Sequence, residues 1–126
     1  MATKYSIHTD VRHGPLERID AGALADGCPE PWWNQTLCRV NDSVLRLGVL
    51  HGEFHWHKHD DEDELFFVEA GRLFVDVQPA DGAATTVELG PRQAYVVPRG
   101  VVHRTRAPER TVVLMMAGAG VVPTGD

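Results

Sequence analysis

Apolar and polar residues alternate in short runs along most of this chain from residue 32 onward, with turn-forming residues between the runs. A period of two is typical of half-buried β-strands, and no stretch keeps the period of about 3.6 residues of an amphipathic helix. The runs predict nine strands, at residues 32–40, 44–50, 53–58, 65–69, 73–77, 85–89, 94–97, 102–106 and 111–116. Nine short strands without a sustained helix predict an all-β sandwich or barrel.

The first 31 residues have a different pattern, in which glycine and proline interrupt every apolar run. Only residues 16–24 are predicted to form a helical turn or a short strand. We therefore expect residues 1–31 to be an N-terminal extension that packs on the barrel or on a dimer partner, and residues 32–126 to form one domain. A chain of 126 residues has no room for a second domain of ordinary size.

The stretch at residues 52–71 carries the chemistry that the strand pattern alone does not explain. On one strand, His57 and His59 would project to the same face about 6.6 Å apart, while Phe54 and Trp56 would project to the other face. Two imidazoles in this arrangement can converge on one metal ion.

An acidic turn follows, and it delivers Glu64 at the start of the next predicted strand. His103 opens a later strand, directly after the turn at Pro98 and Gly100. Neutral imidazoles and a carboxylate suit Fe, Mn, Ni, Zn or Cu as a divalent ion. Asp63 is an alternative carboxylate at a spacing one residue shorter, and the simpler interpretation of residues 60–63 is a solvated hairpin tip.

These residues resemble the two sequence motifs of the cupin family. The matching positions are Gly52, His57, His59, Glu64 and Gly71 in the first motif and Gly90, Pro98, Gly100 and His103 in the second. The sequence departs from the second motif at Ala107, where an asparagine is usual, and at residues 90–93, which read Gly-Pro-Arg-Gln. Neither departure removes a ligand.

The likeness spans roughly residues 40–125 and is strongest to small single-domain bacterial cupins of the mannose-6-phosphate isomerase-like, cupin 2 type, down to the ending at Pro123–Asp126. It implies a double-stranded β-helix, which is a jelly-roll barrel. It also implies one metal per chain, held by His57, His59, Glu64 and His103.

Two further residues are candidates for catalysis. His55 shares the expected inward parity of His57 and His59, and is usually apolar in the relatives this chain resembles. It is therefore expected to be an extra ligand, a hydrogen-bond donor behind the ligands, a proton shuttle or only a barrel histidine. Tyr95 precedes the turn that leads to His103 and is the second candidate for proton transfer. Phe66 and Val68 are expected to line the pocket because they share the face of Glu64.

Arg46 leaves two interpretations open. It lies in the apolar run at residues 44–50, where it could bind a carboxylate or phosphate of a substrate. The simpler interpretation is an outward-facing arginine on a half-exposed strand.

The adjacent Trp32 and Trp33 face opposite ways on one strand, so both are not expected to enter one small core. One of them is expected to cover a dimer interface or the barrel mouth. The cupins that the chain resembles usually pair, and we therefore expect a homodimer.

Charge and composition indicate which kinds of partner are not expected. The net charge is −6, from 18 acidic and 12 basic residues, and the arginines do not gather on one predicted face. Nucleic acid is therefore not an expected partner, and neither is a membrane, since no apolar run is long enough to cross one. Residues 1–10 lack an apolar core, and Cys28 and Cys38 are expected to be reduced thiols, so a cytoplasmic location is expected.

Two classes of function fit these expectations. The first is a metal-dependent enzyme with oxygenase, isomerase or cyclase-like chemistry on a small organic molecule. The second is a module that uses the same ion to bind or sense a small molecule without turning it over. A metal that only clamps the barrel is a third, structural interpretation, and it predicts a closed coordination shell.

Overall fold

The computed structural model describes residues 5–125. Its elements are β1 Ser6–His8, α1 Ala21–Asp26, β2 Trp32–Val40, β3 Ser43–Glu53, β4 Glu64–Ala70, β5 Leu73–Gln78, β6 Thr85–Leu89, β7 Ala94–Val97 and β8 Val102–Gly118. The all-β prediction is therefore confirmed, with one short helix in the N-terminal extension. Within the described residues, none of the helical structure has the length and apolarity that a membrane span requires.

Strand β8 organises the barrel because it belongs to two groups of strands. Its first residues, Val102 to Arg106, pair antiparallel with β5, which in turn pairs with β6. Its later residues, Thr111 to Gly118, lie between β3 and β4, which continue to β2 and β7 respectively. The short β1 adds to β2 in parallel. A long strand shared in this way closes the two groups into the jelly-roll barrel.

Apolar side chains form two clusters, one inside the barrel and one on its outer face. Trp32, 4% exposed, belongs to the inner cluster and stacks on Phe54 with ring centroids 5.4 Å apart. Trp33, 9% exposed, belongs to the outer cluster with Leu37 and with Ala25 of α1. The two indoles therefore enter two different cores, as residues that face opposite ways on one strand should, and Trp32 also lines the cavity described below. The N-terminal extension supplies the cover for Trp33.

Three strand predictions are wrong in detail. Residues 54–58 do not continue β3, because Gly52 has a φ of +118° and the register with β8 shifts between Leu50 and Gly52. The predicted strands 102–106 and 111–116 are one strand. Pro108 is tolerated within β8 because it lies in the stretch that the register shift leaves unpaired, where no donor is required.

In the extension, Asp20 begins α1 at its N-cap, where its side chain accepts a hydrogen bond of 2.9 Å from the Ala23 amide. The helix lies only partly within the predicted range 16–24, and β1 lies where no strand was predicted.

Candidate metal centre

The segment after β3 runs beside the first half of β8 without forming a regular strand. The Phe54 amide donates to the Thr105 carbonyl at 2.9 Å, and His57 and His103 exchange backbone hydrogen bonds of 2.9 and 2.8 Å. This isolated bridge holds the His57 and His103 rings 4.4 Å apart. Backbone pairing between distant parts of the chain therefore sets the position of these two imidazoles.

Glu64 and His59 complete the cluster. Glu64 is the first residue of β4, opposite Val97 of β7, and its Oε1 lies 3.3 Å from His59 Nε2 and 3.5 Å from His103 Nε2. One potential ligand atom from each of His57, His59, Glu64 and His103 lies within 4.8 Å of the other three. Three of the four residues are buried. The residues that were predicted to meet at the metal are therefore brought together.

Backbone carbonyls orient two of the imidazoles. His57 Nδ1 lies 3.0 Å from the His55 carbonyl oxygen, and His103 Nδ1 lies 2.9 Å from the Val101 carbonyl oxygen. A carbonyl accepts only, so each Nδ1 carries the proton and each Nε2 keeps its lone pair. This is the tautomer that a metal-binding histidine requires when its other nitrogen donates to the protein.

Three buried nitrogens of the cluster make no hydrogen bond to the described protein. His59 Nδ1, His59 Nε2 and His103 Nε2 are buried, and none makes a hydrogen bond within residues 5–125. A buried polar atom without a partner is costly, and most such atoms in native proteins are paired. A divalent ion would satisfy the Nε2 atoms and the carboxylate together, and the donor set is one that Fe, Mn, Ni, Zn and Cu accept. The residues therefore fit a metal.

The protonation states agree with this fit. Burial, followed by the nearby His103 and His59, lowers the pKa of His57 to about 4, against the opposing effects of the His55 carbonyl and Glu64. Burial by itself raises the pKa of Glu64, but the approach of His103 and His59 outweighs it and lowers the pKa to about 2. At neutral pH the cluster therefore offers a neutral imidazole at His57 and an ionised carboxylate at Glu64.

A small cavity of about 30 Å³ adjoins the cluster. Its walls are mostly apolar, and two of its residues, His57 and Glu64, belong to the cluster. The other lining residues are Trp32, Asn34, Leu50, Phe54, Phe66, Thr105, Met115 and Pro123. Such a volume holds roughly two water molecules.

The C-terminal segment, residues 119–125, runs along one side of this site, and no pattern in the sequence predicted this. Pro123 lines the cavity, and the Thr124 carbonyl oxygen lies 2.7 Å from His55 Nε2, which donates to it. Gly125 lies so close that a Cβ added there would stand 2.5 Å from the His57 Cβ. We call residues 119–125 the C-terminal strap.

His55 lies beside the cluster and outside it. The side chain is exposed, and its ring is 5.3 Å from that of His57. The expected inward orientation of His55 is wrong, because the side chain is exposed and residues 54–58 do not form a regular strand. Phe54, expected on the opposite face from His57, instead lines the same cavity.

The two other predicted side chains lie at different depths. Tyr95 is half-buried, packs against the inner cluster and faces Phe66 across the β4–β7 pairing, but it does not line the cavity. Asp63 is exposed, and its Oδ1 accepts a hydrogen bond of 2.9 Å from the Arg99 amide. The second carboxylate is therefore engaged elsewhere, whereas Glu64 reaches the histidines.

Arg46 contradicts the simpler of its two interpretations, an outward-facing side chain. It is 3% exposed, inside the barrel, and both Nε and Nη2 donate to Asn34 Oδ1 at 3.0 and 2.7 Å. Burial lowers its pKa to about 10, although attraction to Glu64 acts in the opposite sense, so it is still charged at neutral pH. The apolar run around Arg46 gave no indication of its polar partner, because Asn34 lies on another strand.

Comparison with protein families shows which family the chain belongs to. The family model described as Cupin domain, Cupin_2, matches residues 46–117, more than half of the sequence. The chain belongs to the Cupin_2 family. The matched region contains all four residues of the metal cluster and Arg46, whereas Asn34 and the C-terminal strap lie outside it.

Relatives of this cupin agree in size and fold. It is similar to the uncharacterized protein YdbB of Bacillus subtilis strain 168, with 40% identity over 92 residues, which cover 73% of this chain and 78% of that protein. A solved cupin-2 domain containing protein from Shewanella frigidimarina superposes with a TM-score of 0.69 at 28% identity, over 78% of this chain and 91% of that one. Protein NMB1881 from Neisseria meningitidis gives 0.66 at 25% identity, over 81% and 99%. Small single-domain cupins are therefore the group in which this chain lies.

Proposed function

We propose that this cupin is a metal-dependent enzyme that acts on a small organic molecule, with one divalent ion held by His57, His59, Glu64 and His103. The observation that carries the proposal is the cavity against the cluster, which two of its residues, His57 and Glu64, line. A structural metal site is normally closed by protein, whereas a catalytic site keeps a position for water or substrate.

The ion, when bound, would supply either redox chemistry, if it is Fe, Mn, Ni or Cu, or Lewis-acid chemistry, if it is Zn. Oxygenase, isomerase and cyclase-like reactions are the classes that these two kinds of chemistry allow. The protein's own residues would orient the molecule against Phe54 and Phe66 and exclude water from it.

His55 and Tyr95 are the groups we propose for proton transfer. His55 stands between the cluster and the strap, where its Nε2 donates to the Thr124 carbonyl oxygen and leaves Nδ1 as an acceptor. Tyr95 needs a rearrangement to reach a bound molecule, because it does not line the cavity, whereas its register partner Phe66 does. The better placed of the two is therefore His55.

A second function, a non-catalytic module that binds or senses a small molecule through the same ion, is favoured by the size of the cavity. At about 30 Å³ with Pro123 across it, the site admits only a few atoms unless the strap moves. Slow exchange of a tightly enclosed ligand suits a sensor better than a rapid enzyme.

The test combines metal content with turnover. The protein is reconstituted anaerobically with Fe, Mn, Ni, Cu and Zn in turn, and about one ion per chain is expected. It is then assayed against a panel of sugars, keto acids, catechols and polyketide-like phenols. His103→Ala should lose the metal, whereas His55→Ala should keep it and lose about 100-fold in turnover if His55 transfers a proton.

Three outcomes change the proposal. Less than about one-tenth of an ion per chain with every metal would refute it. Loss of metal in His55→Ala would make His55 a ligand. Tight binding of panel members without turnover by the wild-type protein would establish the binding module instead.

We also propose a cytoplasmic homodimer. Cys28 and Cys38 are both free thiols, which agrees with a reducing compartment. Exposed apolar side chains, including Val96 at 50% and Met116 at 41%, mark one face available to a second copy. Light scattering that returns the monomer mass across a broad concentration range would contradict the dimer, and cell fractionation tests the location.

A further inference from the structure

Arg46 is a buried cation that makes no ion pair, although Glu64 attracts it from a greater distance. The residue is 3% exposed, and its side chain lies inside the barrel. On β3 it pairs in register with Thr36 of β2 and Met115 of β8. No carboxylate within residues 5–125 comes close enough to form an ion pair with it. Burying a charge without a partner is costly, and apolar residues of similar volume often pack as stably in such a place.

One edge of this guanidinium remains available. Nε and Nη2 both donate to a single acceptor, Asn34 Oδ1, at 3.0 and 2.7 Å. Nη1 makes no hydrogen bond to any described residue, so the edge formed by Nη1 and the second hydrogen of Nη2 is free. Two parallel N–H groups on such an edge match the two oxygens of a carboxylate.

The position of Arg46 connects two cavities. Its partner Asn34 lines the small cavity at the metal cluster, and Arg46 itself lines a neighbouring cavity of about 160 Å³. The second cavity is also lined by Thr9, Val11, Thr36, Arg39, Val44, Ala119 and Val121. Its volume is well above the ~15 Å³ that holds one water. The C-terminal strap contributes Ala119 and Val121 to one cavity and Pro123 to the other, so the two lie under the same segment.

We propose that Arg46 binds the carboxylate of a small organic acid, and that Asn34 fixes the guanidinium so that its free edge faces this ligand. The carboxylate forms, in the second cavity, the ion pair that Arg46 lacks, and the wall of that cavity also includes Arg39 and Thr36. The second part of the inference rests on the proposed metal-dependent function. If that function holds, the remainder of the acid extends past Asn34 toward the metal cluster. The substrate class is then carboxylic acids.

The test measures binding instead of activity. Acids of two to seven carbons, among them glycolate and benzoate, are titrated by calorimetry into metal-free and Zn-loaded protein, next to glycolamide, benzamide and inorganic phosphate. At least one acid should bind about 30-fold more tightly than its amide, in line with a charged hydrogen bond. Arg46→Met should abolish that preference, because it weakens binding of the acid much more than binding of the amide. Arg18→Met, at an exposed arginine of the N-terminal extension, is the control for net charge.

Asn34→Asp provides an independent variant in case Arg46→Met does not fold. It keeps the Oδ1 acceptor and adds a negative charge within hydrogen-bond distance of Arg46. The acid should then bind about 10-fold more weakly, and the unliganded protein should melt at a higher temperature. Arg46→Lys should also bind the acid weakly, because an ammonium has a charge without the paired donors.

The proposal is overturned if no acid binds, if acids and amides bind equally, if phosphate binds and the acids do not, or if Arg46→Met or Asn34→Asp retains full affinity for the acid. The metal-free titration decides these points even when reconstitution yields no metal. Failure of the metal-dependent function is therefore distinguishable from failure of the carboxylate site.

Discussion

Glu64 and Asp76 are two buried carboxylates in the same barrel, and their surroundings differ. Glu64 faces two imidazole nitrogens at 3.3 and 3.5 Å, neither of which completes a hydrogen bond in the described part of the chain. Asp76, on β5, accepts hydrogen bonds from Thr86 at 2.7 Å, from Arg104 at 2.8 Å and from Arg106 at 2.7 and 3.1 Å. Protein groups satisfy the hydrogen bonds of Asp76, whereas the nitrogens that face Glu64 have no hydrogen-bond partner in the described part of the chain.

The pKa values show that both carboxylates are ionised, so charge does not distinguish them. Burial raises the pKa of Asp76, but hydrogen bonds from Arg106, Thr86 and Arg104 outweigh it and hold the pKa well below the ordinary value. At Glu64 the opposing partners are His103 and His59, which belong to the candidate metal cluster. The difference shows what indicates a ligand site in this barrel. It is a buried charge whose neighbouring polar atoms make no hydrogen bonds to the protein.

The largest expected effect concerns Glu64. Glu64→Gln should weaken metal binding by about 100-fold or more, since the loss of groups that only support a ligand already costs 10–100-fold. Elemental analysis after reconstitution and competition with a chelator would measure it. Asp63→Asn is the matched control, at the exposed neighbour that binds the Arg99 amide, and should keep the wild-type affinity. The reverse order would show that Asp63 is the ligand.

Much of this site could be predicted from the sequence because its information is local. The spacing of His57, His59 and Glu64, with His103 after a proline–glycine turn, identified the four residues that the barrel brings together. The choice of Glu64 over Asp63 agrees with the structure for the same reason. The all-β fold followed from alternation, which is also a local property.

The parts that could not be predicted depend on distant pairings. The inward parity of His55 was wrong because a register shift at Gly52 ends β3 early, and a shift is not visible in one strand's pattern. The simpler interpretation of Arg46, an outward-facing side chain, was wrong because the sequence pattern does not show its buried polar partner Asn34, which lies twelve residues away on β2. The strap over the cavity was missed because its anchor at His55 joins positions 69 residues apart.

Substitution of Asp76 should lower the stability of the protein and leave metal binding unchanged, unlike substitution of Glu64. Asp76→Asn is expected to lower the free energy of unfolding by about 2 kcal/mol. The substitution removes a hydrogen-bonded negative charge, while Arg104 and Arg106 keep their positive charges. The side chains of Arg104 and Arg106 are 30% and 33% exposed, so water screens part of the loss. Denaturant unfolding in the presence of a chelator measures the effect, with Asp81→Asn, in an exposed turn, as control.

Metal per folded chain should be unchanged in Asp76→Asn. If this variant loses metal as Glu64→Gln does, the contrast between the two carboxylates fails. If Glu64→Gln instead destabilises the metal-free protein as much as Asp76→Asn does, Glu64 has a structural role as well.

Acidification should remove part of the Asp76 contribution, which makes this a smaller effect than the substitution. The pKa of Asp76 is lower in the folded chain than its ordinary value of 3.8. The unfolded chain therefore takes up the proton first, and the stabilisation is complete above pH 3.8 and declines as the pH falls toward the folded value. The difference in unfolding free energy between wild type and Asp76→Asn should shrink below pH 3.8. A difference that is constant down to pH 2.5 would mean that Asp76 acts through packing.

The smallest expected effect is at an exposed ion pair, and it tests whether burial is what separates these carboxylates. Asp63 lies 3.8 Å from Arg99 Nε, with the two side chains 54% and 68% exposed. Asp63→Asn keeps an oxygen to accept from the Arg99 amide and removes only the charge, so stability should change by less than ~0.5 kcal/mol. Denaturant unfolding at low and high salt measures it, and the small difference should decrease as salt screens the pair. A loss as large as that of Asp76→Asn would show that an exposed carboxylate can matter as much as a buried one in this barrel.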